Sequence, residues 1–170
     1  VALRLTDLAP VLPPGTGGYP TRAAASSSRI YITGFDSESG QEIWSADALG
    51  GPFTLLRDIA PGSRSSHPLN LTIVDDRLLF SANDDVHGRE LWLTDGTRAG
   101  TRMIWEVAQG GFSSFPSNLT AIGTDLVFSA LHPLIGQKAW ILHLGPETPG
   151  LIFVDDFESG TTAQWETSPF

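Results

Sequence analysis

A chain of 170 residues with 41% hydrophobic and 17% charged side chains is too apolar for disorder and long enough to bury a core. Its formal net charge of −9 leaves ten Lys and Arg in all, too few and too scattered for a basic face, which excludes a phosphate-backbone binder and an anionic membrane surface. Cysteine is absent, which excludes disulfide staples and thiolate metal sites, and no apolar run approaches the ~18 residues that a membrane-spanning helix needs.

The elements fall into a tandem repeat. The chain opens on Leu3-Arg4-Leu5-Thr6-Asp7-Leu8-Ala9-Pro10, which resembles the later Leu55-Leu56-Arg57-Asp58-Ile59-Ala60-Pro61. Residues 1–10 therefore read as a spare outer strand with no repeat of its own. Gly40-Gln41-Glu42-Ile43-Trp44 then recurs as Gly88-Arg89-Glu90-Leu91-Trp92 and, weakened, as Gly136-Gln137-Lys138-Ala139-Trp140, an offset of 48 each time (88 − 40 and 136 − 88). Arg29–Thr33, Arg77–Ser81 and Asp125–Ser129 keep the same step, as do Pro20, Pro68 and Pro116. Several landmarks in register exclude coincidence, and a period of this length indicates propeller blades or solenoid turns. Three units follow, at about 20–60, 68–108 and 116–154.

The middle unit shows the strands most clearly. Asn70–Val74 is a short β-rich run, and Asp75-Asp76 a turn. Arg77–Ala82 is a more apolar strand, and Asn83–Gly88 a tight loop. Arg89–Thr94 alternates polar and apolar residues, the pattern of a half-buried strand. Asp95-Gly96-Thr97 is a turn and Thr101–Val107 a fourth strand. The expected fold class is thus all-β, in tandem four-stranded antiparallel blades, propeller-like and open in the isolated chain. Trp44, Trp92 and Trp140 hold one equivalent position and are expected to pack between blades. A ring of aromatic platforms for sugar is the competing reading. The third unit ends on a fourth strand at Leu151–Val154, and residues 155–170 match no part of the repeat.

The middle unit, Gly88-Arg89-Glu90-Leu91-Trp92-Leu93-Thr94-Asp95-Gly96-Thr97 with Gly100-Thr101 and Phe115-Pro116-Ser117-Asn118-Leu119-Thr120, resembles the ELWxxDGT repeat family of bacterial exported proteins. The first unit keeps Gly40 to Trp44 but has Asp47-Ala48-Leu49 at the turn. The resemblance implies an exported, propeller-like repeat protein at the cell surface or secreted, and carries no catalytic residues with it. Phe157-Glu158-Ser159-Gly160 … Trp165 is similar to the FESGDxSAW-type ending of some exported bacterial proteins, which implies the same location.

The candidate chemistry is sparse. His67, His87, His132 and His143 share no ligand spacing, and no GxSxG motif occurs. Calcium is the one metal the pattern suggests. Asp36-Ser37-Glu38-Ser39-Gly40 and Asn83-Asp84-Asp85-Val86-His87-Gly88 are equivalent loops, and Asp36, Asp84 and Asp85 are hard oxygen donors on them. The third loop, His132-Pro133-Leu134-Ile135-Gly136, has no carboxylate. A closed propeller uses about four to eight blades, so three leave apolar flanks that call for a partner. The expected function is a non-enzymatic structural protein that self-assembles, as a closed oligomer or a filament, through those flanks and through Val1, Leu3, Leu5 and Leu8 of the spare strand, which adds to another copy. The alternative is a cell-surface module binding carbohydrate or protein.

Overall fold

The structure is a computed structural model that describes residues 21–106 and 110–144. The expected strands at Leu3–Leu8 and Leu151–Val154, the assembly residues Val1, Leu3, Leu5 and Leu8, and the tail 155–170 lie outside the described residues.

The described chain is all-β, with no helix among the described residues, and forms three antiparallel sheets. The first contains β1 (Ala23–Ala25), β2 (Arg29–Asp36), β3 (Gly40–Asp47) and β4 (Thr54–Leu55) in chain order. The second contains β5 (Leu69–Val74), β6 (Arg77–Asn83), β7 (Arg89–Thr94) and β8 (Arg102–Trp105). The third contains β9 (Ser117–Ile122), β10 (Asp125–His132) and β11 (Gly136–His143). Each sheet is a simple meander. The turns form where the residues permit left-handed backbone: Asp75 and Asp76 between β5 and β6 have φ of 48° and 61°, and Gly123 closes the same turn between β9 and β10 at 62°.

The sheets stack with one geometry repeated. In β2 and β3, Ile32 pairs with Trp44 and Ile30 with Ala46, so even-numbered residues share one face. Phe80 pairs with Trp92, and Phe128 with Trp140, in the same way. The even face of the second sheet (Leu78, Phe80, Ala82, Trp92) packs on the odd face of the first (Tyr31, Ile43) together with Leu56 and Ile59. The even face of the third (Leu126, Phe128, Ala130, Trp140, Leu142) packs in turn on the odd face of the second (Leu79, Leu91, Leu93). The middle sheet therefore buries both faces, and Leu78 to Ala82 of β6 are all buried because neither face meets water there.

That stacking corrects one expectation. Arg89–Thr94 alternates like a half-buried strand, yet Glu90, Leu91, Trp92, Leu93 and Thr94 are all buried. Two polar positions of the third strand, Glu90 and Thr94, are interior.

Candidate functional site

Among the described residues, the buried glutamates of β3 and β7 form the chemically unusual constellation. Glu42 and Glu90 are both fully buried, a costly place for a carboxyl unless it is hydrogen-bonded. Glu42 Oε1 accepts from the amides of Ala60 and Ser66, both at 3.2 Å, and its Oε2 accepts from Ser66 Oγ at 2.6 Å. Glu90 repeats this with Ser114, whose amide donates to Oε1 at 2.9 Å and whose Oγ donates to Oε2 at 2.5 Å. Burial pushes the Glu42 carboxyl up to about 7, against the hydrogen bonds of Ser66, Ala60 and Ile59, which lower it.

Each carboxyl pins the segment that leads to the next sheet. The Ser66 carbonyl accepts from the Asn83 amide of β6 at 3.0 Å, and the Ser114 carbonyl accepts from the Leu131 amide of β10 at 2.7 Å. A chain of hydrogen bonds thus runs from a third strand, through the connector serine, to the second strand of the following sheet. The neighbouring serines take part. Ser65 Oγ accepts from the Gln41 amide, and Ser113 Oγ from the Arg89 amide, both at 2.9 Å. The motif glycine completes the fit. Gly40 has φ of 65°, and a Cβ there would lie 2.0 Å from the Arg64 carbonyl oxygen. At Gly88 a Cβ would meet Ser113 Oγ at 2.8 Å, whereas around Gly136 no described atom lies within 4 Å. The third unit also has Lys138 where the others have glutamate.

The rest of the repeated motif is equally architectural. Asp95 Oδ1 accepts from the Thr97 amide at 2.9 Å and from Thr97 Oγ1 at 2.7 Å, and Thr101 Oγ1 donates to the Thr97 carbonyl at 2.7 Å. The Asp-Gly-Thr triplet is a turn closed by its own side chains. Asn70 and Asn118 have φ of 57° and 53°, and the Asn70 side-chain amide donates to the Pro116 carbonyl of the next connector at 2.9 Å.

The tryptophans occupy equivalent interior positions, with 9%, 4% and 3% exposure for Trp44, Trp92 and Trp140. They are packing residues rather than an exposed ring of platforms. The Arg57 guanidinium of the first unit lies 5.9 Å from the Trp92 ring centroid and also donates to the Thr101 carbonyl at 2.7 Å.

The loop carboxylates are turned inward to their own loops. Asp36 Oδ1 accepts from the Glu38 and Ser39 amides at 2.7 and 2.8 Å, and Oδ2 from Ser39 Oγ at 2.6 Å. Asp84 Oδ1 accepts from the Val86 and His87 amides at 3.0 and 2.8 Å, and its Oδ2 lies 2.6 Å from His87 Nδ1. Partial burial raises the Asp84 carboxyl, but the His87 hydrogen bonds outweigh it and hold it below the usual range, while that contact raises His87. Asp85 points elsewhere, to Arg64 at 3.3 Å. Among the described residues no three His, Asp or Glu side chains converge as a metal set. Asp36 and Asp84 thus serve as loop-closing groups in this geometry, and a bound calcium would have to displace those donors. Addition of chelator, then of excess Ca²⁺, is expected to leave the melting temperature in place; a rise with Ca²⁺ would restore the metal site by mass action.

No protein-family model, curated protein or solved structure matches the chain.

Proposed function

We propose that the chain is a non-enzymatic, extracellular structural repeat protein whose three sheets are propeller-like blades, and that it self-assembles through its open flanks and its N-terminal strand. The observation that carries this reading is the uniform sheet-on-sheet stacking, in which the buried glutamates of the repeated motif tie one unit to the connector that leads to the next. The Glu-Ser pairs and the Asp-Gly-Thr turn are closed by their own hydrogen bonds, and the three tryptophans are buried. The likeness of Gly88–Thr97 to ELWxxDGT repeats supports export. Stacked repeats bury their cores only against neighbours, so a short array gains from a further partner at its ends.

The binding-module reading has a narrower basis. Phe112 and Phe115, 70% and 58% exposed, offer apolar surface on the connector between the second and third sheets. Glycan binding by a monomer would favour it.

The test is the mass of the protein in solution over a range of concentrations. Assembly is expected for the full chain, and removal of Val1 to Ala9 is expected to weaken it while the repeats stay folded. A full chain that remains a single copy at high concentration would refute the proposal.

A further inference from the structure

The connectors that leave the first and second sheets run back over the start of the third strand just before them. The amides of Gln41 and Arg89 donate to Ser65 and Ser113, and the carboxyls of Glu42 and Glu90 accept from Ser66 and Ser114. Glu42 also accepts from the Ala60 amide, at 3.2 Å. The third unit keeps the receiving geometry. Gly136 retains the left-handed backbone of Gly40 and Gly88, at φ of 79°, with no described atom within 4 Å of its Cβ position. The cover is what differs. Gln137 is exposed where Gln41 and Arg89 are half-buried, and Lys138 is half-buried where Glu42 and Glu90 are buried.

The step of 48 continues past the described residues. It carries Met103, Ile104 and Trp105 onto Leu151, Ile152 and Phe153, which keeps the fourth strand in register without insertion (151 − 103). The same step carries Ser113 and Ser114 onto Thr161 and Thr162 (161 − 113 and 162 − 114). Residues 155–170 lack the motif itself, yet two hydroxyl residues stand where both earlier connectors have two serines. Ala60 is carried to Ala108 and then to Asp156 (108 − 60 and 156 − 108). The positions that meet in the first unit as the Glu42 carboxyl and the Ala60 amide are therefore Lys138 and Asp156 in the third. An ammonium is a donor only, so at the glutamate position it has nothing to offer a connector amide. A carboxylate on the connector restores the match. Lys138 is the only lysine of the chain, and among the described residues it makes no ion pair.

We propose that residues 156–162 of this chain lie over the start of β11 as a third connector, with the Asp156 carboxylate accepting from the Lys138 ammonium and Thr161 Oγ1 accepting from the Gln137 amide. The terminal unit of a stacked array needs a cover with a polar outer side, and this segment supplies it. The inference is independent of the self-assembly reading, because every contact lies within one copy.

The single lysine makes the test direct. A water-soluble carbodiimide, applied to the unaltered chain, condenses the Lys138 Nζ with a carboxylate in contact with it, forming an amide as the reagent takes up the water. Peptide mapping by mass spectrometry is expected to find Lys138 joined to Asp156. A mixture of ¹⁵N-labelled and unlabelled chain is expected to give amides within one copy, with no mixed-isotope product. No amide at Lys138, an amide to any other carboxylate, or a mixed-isotope product overturns the inference. Exchange of the two charges is the second measurement. Lys138→Asp and Asp156→Lys are each expected to lower the melting temperature at low salt, and the two together to recover most of that loss. A paired variant that melts as low as the two losses added together also overturns it.

Discussion

Replacement of Trp92 by Ala is expected to destabilise the protein by roughly 3–5 kcal/mol, the range for emptying a buried aromatic site. The ring is 4% exposed and lies between the first and second sheets, in contact with a cluster that includes Tyr31, Ile43, Leu56, Leu78 and Phe80. Its loss opens a cavity at a junction rather than within one sheet, so the neighbouring strands collapse onto it only by shifting one unit against the next. The Arg57 guanidinium would also lose the ring face it lies over. Trp92→Phe separates volume from polarity. The indole Nε1 of Trp92 is buried with no hydrogen-bond partner, so removing it strands no acceptor, and the Phe variant is expected to lose clearly less than the Ala variant. Urea unfolding of the two variants against the unaltered chain gives both numbers. An Ala variant within about 1 kcal/mol of the unaltered protein would mean that the junction does not depend on this ring.

The architecture was legible because the repeat writes it three times. A fixed step of 48 placed the strands of the middle unit within a residue or two of β5, β6, β7 and β8. Gly and Asp pairs marked the turns, since left-handed backbone restricts which residues stand there. The role of Glu42 and Glu90 was hidden for a physical reason. Alternation predicts a polar residue to face water, and only the packing of a second sheet onto that face makes Glu90 interior. A signal for it does exist in the sequence. Glu42 precedes Ser66 by 24 residues and Glu90 precedes Ser114 by 24 (66 − 42 and 114 − 90), and the third unit changes its glutamate to Lys138. The acidic loops carry two readings by residue type alone. Asp36 and Asp84 suit a cation by type and position, but an Asp two residues before a backbone amide equally well closes its own turn, and those turns form here. The arrangement of the three sheets depends on how units rotate about each other, which a strand pattern leaves open.

The Glu42 carboxyl should make stability fall as pH rises through the mildly acidic range. Burial pushes its value in the folded protein from the ordinary 4.5 to about 7, so the folded chain holds this proton more tightly than the unfolded chain does. A group of that kind contributes fully below its unfolded value, and its contribution is lost as pH climbs from about 4.5 to about 7. A shift of this size corresponds to a loss on the order of 3 kcal/mol across the window. The lowered carboxyls of Asp36, Asp84 and Asp95 act in the opposite sense and in a different range, since their contribution is lost only as pH falls below the ordinary carboxylate values. His87, raised by its contact with Asp84, adds a loss of the same sign as Glu42 at the upper end. Glu42→Gln isolates the carboxyl. The amide oxygen still accepts from the Ala60 and Ser66 amides, but no proton is exchanged. Denaturant unfolding at pH 5 and pH 8 is expected to show the unaltered chain markedly weaker at the higher pH, and Glu42→Gln with most of that difference removed. Equal pH sensitivity in the two proteins would assign the effect to His87 and leave Glu42 ionised in the fold. The direction also bears on how the units are joined. With its proton, Glu42 docks the connector through Ser66 as one neutral hydrogen-bonded group; without it, a charge sits at the base of the link between the first and second sheets, and that junction is the place where the stack should open first.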